Sequence, residues 1–153
     1  MATEYQELVQ GFIHSKRIGV VGLSSHTENP GNHILKKLLN NGYEAIPIHP
    51  KAKSINGIDC FESVEAVPVQ LEAVVICTPS NATTSIIESC ALAGVKLVWI
   101  HKSIGDGSYS QVAVDKAKQL GIKVIPTGCP MMFIQPDIFH RCMRFLMKSK
   151  LRV

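Results

Sequence analysis

The sequence predicts a doubly wound α/β domain of the Rossmann type, a mostly parallel five-stranded sheet with helices on both faces. Three observations carry that prediction. Short apolar runs rich in β-branched residues recur at Ile18–Gly22, Tyr43–Ile48, Ala73–Cys77, Leu97–Ile100 and Lys123–Pro126. Segments with helical spacing of apolar residues lie between most of them, and Gly42, Gly94 and Gly121 stand where those segments end. Strands that alternate with helices in this way call for a parallel sheet covered on both sides.

The elements follow in order. Thr3 with Gln6 reads as a capping box, and Tyr5, Leu8, Val9, Phe12 and Ile13 recur at helical spacing, so a helix is expected over about 3–15. Ile18–Gly22 is a buried strand with a glycine stop. Asn29-Pro30 supplies an N-cap and a first helical residue, and Ile34, Leu35, Leu38 and Leu39 form the buried stripe of the helix that Gly42 ends. Tyr43–Ile48 is the second strand. Lys51–Leu71 breaks the rhythm and is read as a short strand or turn and a short helix near Val64. After the strand Ala73–Cys77, Ser80 caps a helix that Gly94 terminates. Leu97–Ile100 is the fourth strand, Ser108 with Gln111 opens the next helix, and Lys123–Pro126 is the fifth strand. The stretch Asp137–Lys148 is a basic, amphipathic terminal helix. It is expected to dock on the domain or on a second subunit, so a homodimer is expected.

Composition fits one domain spanning 1–153. The 153 residues are 46% hydrophobic and 18% charged, a globular profile. No apolar run reaches the length of a membrane span, and Met1–Gln10 lacks the charged-then-apolar order of a secretory signal. Cys60, Cys77, Cys90, Cys129 and Cys142 are odd in number, with no C-x-x-C pair, which argues against a disulfide framework or zinc site and for reduced thiols in the cytoplasm. A net charge of +4, scattered along the chain except at the C-terminus, suits a small anionic ligand and argues against a nucleic-acid groove. No membrane partner is expected.

Ligands of open parallel sheets sit beyond the carboxyl ends of the strands. The first loop there, Gly22-Leu23-Ser24-Ser25 through Asn29, delivers the chain to a helix N-terminus that favours phosphate. It is neither G-x-G-x-x-G nor a P-loop. At the end of the second strand, where NAD-binding domains carry an acid, the chain reads His49-Pro50-Lys51. A cation there suits a nucleotide with an extra ribose phosphate, as in coenzyme A or NADP. The third loop, Thr78-Pro79-Ser80, offers hydroxyls on a stiffened turn, open to an adenine or a pantetheine arm and equally able to cap a helix.

The order of Gly22-x-Ser24, Asn29-Pro30, Gly42-Tyr43-x-x-x-Pro47-x-His49-Pro50-Lys51, Thr78-Pro79, Trp99 and Cys129-Pro130 resembles the small CoA-binding-domain family. That family is similar to the N-terminal domain of the succinyl-CoA synthetase α-subunit and of ADP-forming acyl-CoA synthetases. The resemblance spans about Lys16–Phe133. It implies coenzyme A, or an acyl-CoA, as ligand. Gly22, Ser24 and the following loop would meet the nucleotide phosphates, Pro50 and Lys51 the adenosine 3′-phosphate, and Thr78-Pro79 the adenine or pantetheine. Many members carry an Arg and a Ser-Tyr pair in the first loop. Here Asn29-Pro30-Gly31-Asn32-His33 stands in their place, with His33 as the substitute donor.

The resemblance implies binding and not catalysis. No H-x-x-H, H-E-x-x-H or G-x-S-x-G pattern occurs, so no catalytic or metal residue is assigned. Cys129 follows the fifth strand where the related ligases hold an Asn-Cys-Pro near the CoA thiol, and its competing roles are a mixed disulfide with CoA and plain packing. The other four cysteines read as packing residues. His101 faces the same edge, either neutralising phosphate or merely solvated. An NADP-dependent reductase and a subunit of an acyl-CoA synthetase-like complex are the alternatives.

Overall fold

The computed structural model describes residues 2–102, 107–135 and 137–147. Helix α1 (Glu4–Ile13) starts on the expected capping box, with Thr3 Oγ1 accepting from Gln6 N, and buries Tyr5, Val9 and Phe12. Strand β1 (Arg17–Val21) is buried from Ile18 onward. Helix α2 (Pro30–Asn40) is capped by Asn29 and buries Ile34, Leu35 and Leu38. Strand β2 (Glu44–Ile48) follows.

The segment between β2 and the next sheet strand holds a two-residue hairpin, β3 (Ser54–Ile55) against β4 (Ile58–Asp59). Asn56 and Gly57 both have positive φ (53° and 77°), the requirement of a tight turn between twisted strands. The helix expected near Val64 is a run of turns that buries Val64 and Val67. Pro68 stands one residue after Val67, where a helix cannot easily continue.

Beyond it come β5 (Ala73–Ile76), α3 (Ser80–Leu92), β6 (Leu97–Ile100), α4 (Gln111–Gln119) and β7 (Lys123–Ile125). A single 3₁₀ turn over Pro130–Met132 leads toward α5 (Ile138–Leu146), which Asp137 caps through the amide of His140. The expected end of this helix at Lys148 lies outside the described residues. Two expected caps differ: Pro79, not Ser80, stands at the N-cap of α3, and Ser110, not Ser108, caps α4.

The main sheet is five-stranded and parallel, in the order β2-β1-β5-β6-β7. Phe61 forms one parallel bridge with Ile48 on the outer side of β2. The position of a further strand is thus held by a single residue. Alternation splits the sheet's side chains between two cores. Val75 and Trp99 face the cluster containing Phe12, Leu35 and Met132, beside α1 and α2. Val74, Ile76, Val98 and Ile100 face the cluster containing Ile87, Ala113 and Ala117, beside α3 and α4.

Val21 lies level with Ile48 on one side and Ile76 on the other, so the loops after these strands open at one edge. Strand order reverses at β1, with β2 added on one side and β5 on the other, which places the binding crevice of such a sheet between β1 and β5.

Candidate site at the carboxyl edge of the sheet

Gly22 sits at the point of reversal. Its φ is +91°, and a Cβ built on it would stand 2.3 Å from the Cys77 carbonyl carbon and 2.4 Å from Thr78 N. Only glycine lets the ends of β1 and β5 approach so closely. Gly31 passes beneath, where an added Cβ would lie 3.0 Å from Gly22 O.

Two asparagines shape the loop after Gly22. Asn29 Nδ2 donates to Gly22 O (2.9 Å) while its Oδ1 accepts from Asn32 N (3.0 Å). Asn32 is 2% exposed. Its Oδ1 accepts from Ser24 N (2.8 Å) and its Nδ2 donates to Ser24 O (2.9 Å), so one side chain grips both polar groups of the Ser24 backbone. Ser24 Oγ in turn accepts from the amides of His26 (3.2 Å) and Thr27 (3.1 Å). Leu23 points into the core and Ser25 outward. Asn32 and Leu23 therefore hold the loop from within, and the exposed surface is left to Ser25, His26 and Thr27. His33 is exposed, with its Nδ1 3.8 Å from Glu28, which also binds Lys36 at 2.8 Å.

His49 builds the second loop. Its Nδ1 accepts from the amides of Lys51 (3.1 Å) and Ala52 (2.8 Å), which folds the turn around the ring. That wrap presents Pro50 and Lys51 to solvent. In the third loop Thr78 Oγ1 lies 3.4 Å from Thr83 Oγ1, and the fully buried Thr83 donates to Ser108 O (2.7 Å). Pro79 gives α3 no side-chain cap, whereas side chains cap α1, α2, α4 and α5. The α3 N-terminus starts beside the crevice, with Ser80 exposed at its first position.

His101 and Cys129 lie deeper. His101 is 7% exposed, and burial together with His140 pushes its ring below the ordinary imidazole range. Cys129 is 2% exposed, and burial pushes its thiol up to about 11. Thiolate is the reactive species, so little of it exists at neutral pH. Trp99 holds this segment in place: its Nε1 donates to Thr127 O (3.1 Å) and Gly128 O (3.3 Å). Of the cysteines read as packing residues, Cys90 is buried and Cys60 and Cys77 are partly buried, but Cys142 is exposed on α5. The hydrophobic spacing of that segment pointed to a docked face without saying which side would dock.

Helix α5, to which the sequence assigns no site role, borders a second concavity. His33, His101, Cys129, Met131, His140 and Met143 line a groove of about 500 Å³ between α2 and α5. His140 Nδ1 lies 2.8 Å from Asp137 Oδ1, which orients the ring. Asp137-x-x-His140 at the helix start was the visible signal. Among the described residues no cluster of His, Cys, Asp or Glu is arranged to hold a metal ion, and no helix is long and apolar enough to cross a membrane.

The model of the CoA binding domain family matches residues 16–135. An ADP-forming acetate–CoA ligase of Methanocaldococcus jannaschii is 28% identical over 120 residues, covering 76% of this chain and 17% of the ligase. The chain thus spans about a sixth of that enzyme's length. A Bacillus subtilis protein, YneT, is 25% identical over 126 residues, covering 82% of this chain and 88% of its own. Among solved structures, a protein from Pyrococcus horikoshii superposes with a TM-score of 0.75 at 28% identity, covering 83% of this chain and 87% of that one.

Proposed function

The chain belongs to the CoA binding domain family, and on that premise we propose that it binds coenzyme A at the carboxyl edge of its sheet. The observation that carries this is the crevice at Gly22. A glycine-only approach of β1 and β5 sits beside a helix, α3, whose N-terminal amides have no side-chain cap. Such amides favour a phosphate or another polar ligand atom. The residues present fit the ligand. Gly22, Ser24, Ser25 and His33 border the phosphates, with Leu23 and Asn32 as the loop's inner supports. His49 shapes the turn that offers Pro50 and Lys51 to the 3′-phosphate. Thr78, Pro79 and Ser80 flank the adenine or pantetheine, and His101 lies behind them.

Cys129 serves as packing in this reading. Its buried thiol is poorly placed for the mixed disulfide with CoA. The role is binding, as carrier or regulator. The cysteines, all free, suit the reducing cytoplasm. The kinship with ligases many times longer also supports a role as one part of an acyl-CoA synthetase-like complex, which co-purification of a partner chain would reveal.

The test is calorimetric titration with CoA, dephospho-CoA, NADP and NAD. CoA is expected to bind most tightly. Lys51→Ala is expected to weaken CoA about fivefold, the effect of one exposed charge–phosphate contact of about 1 kcal/mol, and to leave dephospho-CoA unchanged. Binding of NADP without CoA would overturn the reading in favour of a reductase.

A further inference from the structure

Helix α5 turns its more apolar side outward. Met143 faces the core, while Ile138, Phe139, Phe145 and Leu146 are 81%, 60%, 77% and 77% exposed. Cys142 is exposed among them. Those four large side chains open on the order of 500 Å² of apolar surface, near the upper end of what monomers show.

The pattern within this strip is symmetric. The helix reads Ile138-Phe139-His140-Arg141-Cys142-Met143-Arg144-Phe145-Leu146, with large apolar residues three and four places to either side of Cys142. Ile138 and Leu146 stand four residues either side of Cys142, about 40° from it around the helix. Phe139 and Phe145 stand three residues either side, at about 60°. A twofold axis lying in the interface plane at the level of Cys142, perpendicular to the helix, therefore lays Ile138 against the partner's Phe145 and Phe139 against the partner's Leu146. Cys142 meets the partner's Cys142. Self-complementarity of this kind is what an isologous contact requires.

Two further features suit it. Cys142, Phe145 and Leu146, with Arg141, border a shallow apolar concavity of about 350 Å³ that can receive a large side chain. Arg144 is drawn back from the strip, its guanidinium 4.7 Å above the Phe133 ring, so it does not confront its own copy. We propose that the chain forms a twofold homodimer through antiparallel α5 helices, with Cys142 at the axis. The four side chains of each copy bury on the order of 1,000 Å² in total, close to the lower bound of a specific interface before its rim is added. The proposal does not depend on the ligand.

Light scattering on the purified full chain at micromolar concentration is expected to give twice the chain mass. A short bismaleimide is expected to link the wild-type chains through Cys142. The Cys142→Ser variant should remain dimeric yet yield no linked species. Phe145→Glu changes a side chain that touches little else in the fold. It is expected to leave the circular dichroism of the folded chain unchanged and to weaken the dimer on the order of a thousandfold, because each interface contains the residue twice. A monomeric wild type, or a Phe145→Glu chain that stays dimeric, overturns the proposal. Sedimentation of a monomeric wild type with phosphatidylserine vesicles, lost in Phe145→Glu, would assign the face to a membrane instead and equally overturns it.

Discussion

Replacing Asn32 by alanine tests how the first loop is held. The side chain is 2% exposed, accepts from Ser24 N at 2.8 Å and donates to Ser24 O at 2.9 Å. Two neutral hydrogen bonds at about 1 kcal/mol each, plus the small void left behind, give a loss of about 2–3 kcal/mol. For a chain of this size that lowers the melting temperature by roughly 5–10 °C. Releasing Ser24 also returns conformational entropy to the loop, which a ligand must then remove, so CoA affinity is expected to fall roughly tenfold. Asn32→Asp separates the two bonds. The carboxylate still accepts from Ser24 N but sets its other oxygen against the Ser24 carbonyl, so it is expected to be at least as unstable as alanine at neutral pH. Protonation restores a donor and the folded carboxyl protonates before the unfolded one, so the deficit should narrow as the pH falls toward about 4 and be smallest below it. Urea unfolding at neutral and acid pH measures both variants. An Asn32→Ala chain within about 0.5 kcal/mol of wild type, the ordinary range for surface substitutions, would refute the reasoning.

Other outcomes follow from the same geometry. Gly22→Ala places a methyl group 2.3 Å from the Cys77 carbonyl carbon at a φ of +91°. It is expected to cost about 2–4 kcal/mol and abolish measurable CoA binding, read by calorimetry on both counts. His101 is held below the ordinary imidazole range by burial and by His140, so the unfolded chain takes up a proton there first. Its contribution is complete above pH 6.5 and is lost as the pH falls through that value toward the folded pKa. The urea midpoint should therefore drop between pH 7.5 and about 5.5. His101→Gln should flatten part of that drop, and an unaltered profile would remove His101 from the account.

The sheet was legible because its strands are buried on both faces and read as unbroken runs such as Ala73-Val74-Val75-Ile76. The helices announced themselves through side-chain caps at Thr3 and Asn29. Asn56-Gly57 is a strong hairpin signal, yet the strands it joins are two residues each, too short to show alternation. Of the site, the loops were legible from their position after strands, but not the inward turn of Asn32, which depends on a partner eight residues away. Which face of α5 meets the core was hidden because both faces are apolar: Met143 packs inward while Ile138 and Phe145 do not.

The bridge at Phe61 has a further effect on how the sheet meets its surroundings. A sheet edge with free amides and carbonyls recruits strands from other chains. On β2 that edge is spent: Pro47 O accepts from Phe61 N at 3.1 Å, and His49 N donates to Phe61 O at 2.9 Å. The same outward side of Pro47 has no amide to offer a newcomer. The opposite edge, β7, is three residues long. Neither margin is a template for β-augmentation, so solubility at high expression should be insensitive to substitutions on these strands' outer rims. Copies of the chain that meet are left to do so through helices.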